Sequence, residues 1–311
     1  MTDNQAQDWD NYWKGRSATD SGEALVAAGV ETDVDLKHFW VNELSNFPKT
    51  SRVLDMACGA GSVLKHAHGI GFADLTGIDV SASAIQTLQS NLPDAKGIVG
   101  QTDKTGFDDQ SFELVVSQYG FEYSHIPATV SEIARLLTPG GAFIAMIHKT
   151  PGGIEAEVRA NADASQSILK TGFIDVSRAL FEASMTSSDD KVFNAALDKF
   201  RPAQDALLVL ARQQGGLAAH LYSGAQDLYN RRNAYDLADV HGWLDGMEGE
   251  ISAYSGRMTD MLRAAQSKDD MAAITDMFTA EKFSCDTPEP FKSSSEGDDI
   301  GWVLRARKSA S

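Results

Sequence analysis

Val53-Leu54-Asp55-Met56-Ala57-Cys58-Gly59-Ala60-Gly61 reads as an apolar strand, Arg52 to Met56, running into a glycine turn, with a helix from Ser62 to His68 behind it. A junction of this kind aims backbone N–H groups and a helix N-terminus at whatever lies beyond the strand's carboxyl end. Glycines at 59 and 61 let such a ligand approach the backbone. A dinucleotide-binding turn asks for glycine or alanine three positions after the second glycine, where Leu64 stands, and has no use for an acid where Asp55 stands. The pyrophosphate reading weakens accordingly. A carboxylate there suits a cationic group, such as the α-ammonium of a methionine moiety.

Working outward, short β-branched runs alternate with helical segments from Ser51 to about Lys149, the pattern of a parallel sheet wound on both faces. Leu75 to Asp79 is the second strand, and Ser81 or Ser83 caps a helix that runs to about Asn91. Lys96 to Gly100 and Phe112 to Ser117 are the third and fourth strands. A helix over Thr129 to Leu137 stops at Thr138-Pro139-Gly140-Gly141, and Ala142 to His148 is the fifth strand. From Glu155 to Lys282 the chain reads as almost wholly helical, with Leu237, Val240, Leu244, Met247, Ile251, Tyr254, Met258, Met261 and Leu262 at steps of three or four. Phe283 to Cys285 and Ile300 to Ala306 return to strand. The expected fold is α/β: a doubly wound, mostly parallel, seven-stranded Rossmann-like sheet with a large helical insertion before its last strands. The expected parts are a helical lid segment over 1–50, the ligand-binding α/β core over 51–150, the insertion over 151–282 as substrate cap or oligomer contact, and closing strands over 283–311.

Asp-x-Ala-Cys-Gly-x-Gly, Asp55 to Gly61, resembles the first motif of class I S-adenosylmethionine-dependent methyltransferases, with Ala57 where that family usually has glycine. Phe107-Asp108-Asp109-Gln110-Ser111-Phe112-Glu113 and Leu137-Thr138-Pro139-Gly140-Gly141 resemble the family's approaches to strands four and five. The resemblance covers Ser51 to Lys149 and hardly touches the helical block. It implies that Asp55, Ala57, Gly59 and Gly61 hold the methionine end of S-adenosylmethionine, that Asp79 binds the ribose hydroxyls, and that Val80 lies on the adenine. Gln101, Thr102 and Asp103 are then candidates for the adenine edge, and Ser117, Gln118 and Tyr119 for the wall beside the transferred methyl. Trp9, Tyr12 and Trp13, ahead of Lys14 and Arg16, are similar to aromatic lid segments of small-molecule methyltransferases, although a helix packed on the core has the same sequence pattern. His148, after the fifth strand, is the best-placed general base, since ligands of such sheets bind at that edge and histidine titrates in a useful range. Glu122 and His125 are weaker alternatives for that role.

A chain of 311 residues, 42% hydrophobic and 23% charged, has the composition of an ordinary globular protein. Its formal charge of −17 repels phosphate backbones and anionic surfaces, so nucleic acid and membrane are poor partners, but charge names no partner; the small-molecule acceptor is what the resemblance implies. With two cysteines, Cys58 and Cys285, no disulfide framework is indicated, and neither zinc spacing nor a P-loop occurs. Met1 to Asp10 has no basic and apolar leader pattern, so cytoplasm is the expected location. The expected activity is in-line methyl transfer without a metal, with homo-oligomerisation through the helical insertion as an option. The alternatives are a noncatalytic S-adenosylmethionine-binding subunit and, more remotely, a nicotinamide-dependent oxidoreductase.

Overall fold

The computed structural model describes residues 3–14, 30–292 and 299–310; Arg16 lies outside them. The chain forms two compact units, one of Met1–Val158 with Asp260–Ser311 and one of Arg159–Thr259. In chain order the elements are α1 (Asp3–Lys14), α2 (Val30–Ser45), β1 (Val53–Met56), α3 (Ser62–Gly69), β2 (Leu75–Asp79), α4 (Ala82–Asn91), β3 (Lys96–Val99) and β4 (Phe112–Gln118). After a 3-10 turn at Phe121–Tyr123 come α5 (Ile126–Leu136), β5 (Leu137–Ile147), α6 (Gly153–Lys170), α7 (Phe173–Thr186), α8 (Asp190–Gln214), α9 (Gly216–Asn230), α10 (Leu237–Ala264), α11 (Lys268–Ala280), β6 (Phe283–Cys285), β7 (Glu289–Lys292) and β8 (Asp299–Lys308).

The first unit is built on a sheet in the order β3-β2-β1-β4-β5-β8-β6, with β7 also on β8. Strands β1 to β5 are parallel, and β8 runs antiparallel to β5, β6 and β7. β6 pairs with the end of β8 near Lys308 and β7 with its start near Asp299, so two short strands share one column and the described sheet has seven columns. β1 and β2 are buried along their whole lengths, as strands covered on both faces must be.

Alternation along the strands divides the core in two. Leu54, Met56, Val115, Phe143, Ala145 and Ile147 face Val130 and Ile133 of α5 and Met271, Ile274 and Phe278 of α11. Val53, Leu114, Val116, Ile144 and Met146 face Leu36, Trp40 and Leu44 of α2, Val63 and Leu64 of α3, and Ile85 and Leu88 of α4. Two expected boundaries move as a result. α2 is a full layer of the core rather than part of a lid over 1–50. α11 belongs with the sheet, so the separate helical unit is 159–259 and not 151–282.

Three local expectations also change. β3 is the sheet's edge, and Val99 is 55% exposed instead of buried. Thr138-Pro139-Gly140-Gly141 lies within β5, bulged between the pairs Phe112–Leu137 and Leu114–Ala142, with Gly140 at φ 78°. β7 was not anticipated, because Glu289-Pro290-Phe291-Lys292 has the charge and proline that mark edge strands.

The second unit has its own core. Phe173 and Phe181 of α7, Leu207 of α8, Leu221 of α9 and Val240, Leu244, Met247 and Ile251 of α10 form one apolar cluster. Arg178 of α7 pairs with Asp245 and Glu248 of α10 on its surface. Met247 is 3% exposed and serves packing. None of the described helices is long and apolar enough to cross a membrane.

Candidate active site

The turn after β1 owes its shape to three residues in the left-handed region: Ala57 (φ 56°), Gly59 (φ 50°) and Gly61 (φ 81°). For alanine that conformation costs roughly 1–2 kcal/mol, which accounts for the usual glycine at its place. The Cys58 N–H donates to the Ile78 carbonyl at 3.1 Å and stitches the turn to β2. Asp79, at the tip of β2, accepts the Gly59 N–H at 2.9 Å through Oδ2 and the Ser81 N–H at 2.9 Å through Oδ1. Burial raises the pKa of Asp79, against the pull of the Ser81, Gly59 and Val80 N–H groups. Asp55, at 1% exposure, sits on the neighbouring strand β1. Burial, then the carboxylates of Asp79 and Asp55, hold the Cys58 thiol well above its ordinary pKa, so both acids bear on one spot.

The glycines' closest neighbours are side chains. A Cβ on Gly59 would lie 2.6 Å from the Trp13 ring, and one on Gly61 would lie 2.3 Å from Leu88 Cδ1. The freedom that the sequence reading reserved for a ligand also admits an indole and a leucine. Trp13 reaches the turn from α1, whose Asp10 accepts the Ser81 hydroxyl at 2.8 Å and the Ser83 N–H at 3.0 Å. Ser81 in turn caps α4 by accepting the Ala84 N–H. Burial opposes ionisation of Asp10, but Lys14, Ser83 and Ser81 outweigh it and hold the carboxyl far below its usual range. Further along α1, Trp9 meets Tyr123 edge to face at 5.6 Å. α1 is thus a latched aromatic cover over the tips of β1 and β2.

At the end of β4 the Ser117 hydroxyl donates to the Met56 carbonyl at 2.7 Å and accepts the Phe121 N–H at 3.0 Å. The Gln118 amide oxygen accepts the Trp40 indole N–H. The expected wall of Ser117 and Gln118 therefore has its polar ends engaged by protein. Tyr119 (φ 51°) donates its hydroxyl to the Ile300 carbonyl at 3.2 Å, and its ring lies 4.4 Å from that of His148. Gln101 and Lys104 form a bridge just beyond β3, with Gln101 exposed and Thr102 and Asp103 half-buried beside the Asp79 strand. Val80 is half-buried.

His148 is 4% exposed. Glu122 Oε1 accepts its backbone N–H and meets its Nδ1, each at 2.7 Å. Glu122, expected only as a rival to His148, is His148's partner in the structure, a link hidden by their separation of 26 positions. His125 is exposed, and its Nδ1 caps α5 by accepting the Ala128 N–H, which removes it from the site. A pocket beside His148 is lined by Ile154, Val158, Met261, Leu262 and Ala265, with Lys149 and Glu155.

Residues 54–145 match a family model described as a methyltransferase domain. Among curated proteins, the phthiotriol/phenolphthiotriol dimycocerosates methyltransferase of Mycobacterium leprae (strain TN) is 30% identical over 94 residues, which is 29% of this chain and 35% of that protein. The demethylmenaquinone methyltransferase of Chlorobaculum tepidum (strain ATCC 49652 / DSM 12025 / NBRC 103806 / TLS) is 30% identical over 91 residues, 29% of this chain and 38% of that protein. The chain thus spans little more than a third of the length of these relatives. Among solved structures, one described as "Conversion of a Disulfide Bond into a Thioacetal Group during Echinomycin Biosynthesis" aligns with 98% of this chain and 93% of its own, at 14% identity and a TM-score of 0.50, which shows the shared fold. Over residues 54–145 the α/β core matches a methyltransferase domain, on a fold shared with that structure. That match leaves the oxidoreductase reading without support.

Proposed function

We propose that the protein moves the methyl group of S-adenosylmethionine to a small-molecule acceptor by in-line displacement. One observation carries the reading: two buried acids, Asp55 and Asp79, stand on adjacent parallel strands around a left-handed turn. Beyond the Gly59 and Ser81 N–H groups at 2.9 Å, and the Val80 N–H that also draws on it, the Asp79 carboxylate keeps acceptor capacity for ribose hydroxyls. Two donated hydrogen bonds would also favour the ionised form that burial opposes. An ammonium beside Asp55 offsets the cost of a carboxylate at 1% exposure.

When bound, S-adenosylmethionine supplies a methyl group already activated on a sulfonium. The chain's own part is alignment and exclusion of water. Ala57, Gly59 and Gly61 shape the cradle; Val80, Gln101, Thr102 and Asp103 flank the adenine; Trp13 covers the whole; Ser117 and Gln118 hold the strand tips in place. His148 and Tyr119 serve the transfer end. Ile154, Val158, Met261, Leu262 and Ala265 beside His148 give that end of the site an apolar flank, which suits an acceptor with an apolar part. A small acceptor, a cytoplasmic setting and self-association through the helical segment belong to the same reading, supported by the −17 charge and the separate helical core.

Calorimetry with S-adenosylmethionine and with NAD is the direct test. S-adenosylmethionine should bind and NAD should not, and Asp79→Asn should weaken binding by at least about tenfold, the loss of a charge-assisted pair of hydrogen bonds. Absence of S-adenosylmethionine binding sinks the proposal. Binding without S-adenosylhomocysteine production on any acceptor of a broad panel would make the chain a noncatalytic subunit.

A further inference from the structure

We propose that Glu122 and His148 form a proton acceptor of fixed tautomer, and that the molecule methylated carries a dissociable proton on its reacting atom. This rests on the methyl-transfer reading above and names the acceptor class for the same site. Glu122 Oε1 lies 2.7 Å from Nδ1 of His148, with the two side chains 0% and 5% exposed. A buried carboxylate facing Nδ1 requires the hydrogen there, which leaves Nε2 with its lone pair. The same Oε1 also holds the His148 backbone N–H, so ring and strand end are fixed by one atom.

Three buried polar atoms in this cluster have no hydrogen-bond partner among the described residues: His148 Nε2, Tyr123 OH and Glu122 Oε2. Leaving such a group unpaired costs about 1–3 kcal/mol, so three together in a close-packed core point to a polar guest. The Tyr123 and His148 rings are 5.9 Å apart, and Tyr119 flanks the imidazole at 4.4 Å. Burial, then Glu122 and Asp260, raise the pKa of Tyr123 well above normal, so it meets the guest as a neutral hydroxyl. Lys149 is already engaged by Asp299 at 3.2 Å and by the Pro151 carbonyl at 2.6 Å. The position is right for the chemistry. Trp9 touches Tyr123 while Trp13 lies on Gly59, and four residues of helix span only ~6 Å.

The acceptor's X–H bond breaks as X forms its bond to the methyl carbon. The proton passes to Nε2, the C–S electron pair returns to sulfur, and the imidazolium is held by the Glu122 carboxylate. Hydroxyl, thiol and protonated amine acceptors meet this requirement. A thioether has no proton to give and needs no such pair.

The test uses the full chain labelled with ¹⁵N-histidine, saturated with S-adenosylhomocysteine, and read by long-range ¹H–¹⁵N correlation, with His148→Gln to assign the signal. The expected result is the Nδ1–H tautomer at His148, giving way to a mixture in Glu122→Gln while S-adenosylhomocysteine affinity stays within about threefold. Turnover of that variant should fall about 10²-fold or more, the lower end of what a general base contributes. Tyr123→Phe removes only a hydroxyl without a described partner, so it should fold with an unchanged or higher Tm and show a KM for the acceptor raised about tenfold. An Nε2–H tautomer in the wild type, turnover unchanged in Glu122→Gln, or a thioether as the converted acceptor each overturn the proposal. Failure of S-adenosylhomocysteine to bind the wild type overturns the methyl-transfer reading instead, and the tautomer is still read in that sample.

Discussion

Ala57 and Gly120 occupy one small space. A Cβ on Gly120 would stand 2.5 Å from that of Ala57, so Gly120→Ala should lower stability by about 1–3 kcal/mol. Ala57→Gly frees that space and relieves a left-handed alanine, so the double variant should regain part of the loss in a denaturant titration. Ser117→Ala strands the buried Met56 carbonyl and Phe121 N–H and should cost about 1–3 kcal/mol by the same measurement. A pH series tests Glu132. Burial works against its ionisation, but Arg135 and the Thr105 hydroxyl and N–H bring its pKa from the ordinary 4.5 down to about 2. A lowered native pKa adds stability above the unfolded value that is lost on acidification. The stability gap between wild type and Glu132→Gln should therefore be full at neutral pH and close between about 4.5 and 2. At this scale the placement of Asp55 and Asp79 near the ends of adjacent strands was legible, because an acid closing an apolar strand is a local pattern. The engagements of Ser117 with Met56 and of Glu122 with His148 were not, since each joins residues far apart in the chain.

Among the described elements, α1 is held by the aromatic contacts of Trp9 and Trp13 and by a polar fastening. Asp10 fastens it to the start of α4 through Ser81 and Ser83. Asp10→Ala should cost about 1 kcal/mol, as loss of a helix cap does, and should speed release of S-adenosylhomocysteine in stopped flow while leaving the sheet's thermal transition nearly in place. The spacing of Trp9, Tyr12 and Trp13 showed a helix, but which surface it covers depends on Gly59 and Tyr123, which no local pattern connects to it. For α2 the opposite holds. Leu36, Trp40 and Leu44 stand at steps of four, a local pattern that the expected lid over 1–50 passed over, and the structure uses that face as a core layer. β3 reads as a buried strand because its composition is apolar, whereas edge position is a property of the strand order alone.

For the molecule as a whole, S-adenosylmethionine should protect amides from hydrogen exchange in α1, the turn after β1 and the tip of β2, and leave those of residues 159–259 at their unliganded rates. The alternation of strands and helices made the doubly wound sheet readable, since period and turn residues are local. The limits of the helical unit were hidden, because α11 looks like the helices before it until its Met271, Ile274 and Phe278 are seen against the sheet.

The place of β8 governs how this sheet comes to exist. It lies between β5 and β6, and Ile147 pairs with Trp302, more than one hundred and fifty residues later. During synthesis, β5 therefore emerges early and waits with a raw apolar border through the whole helical stretch. Ribosome-bound chains halted before Asp299 should recruit holdase chaperones strongly, and those extended past Lys308 should shed them in a single step.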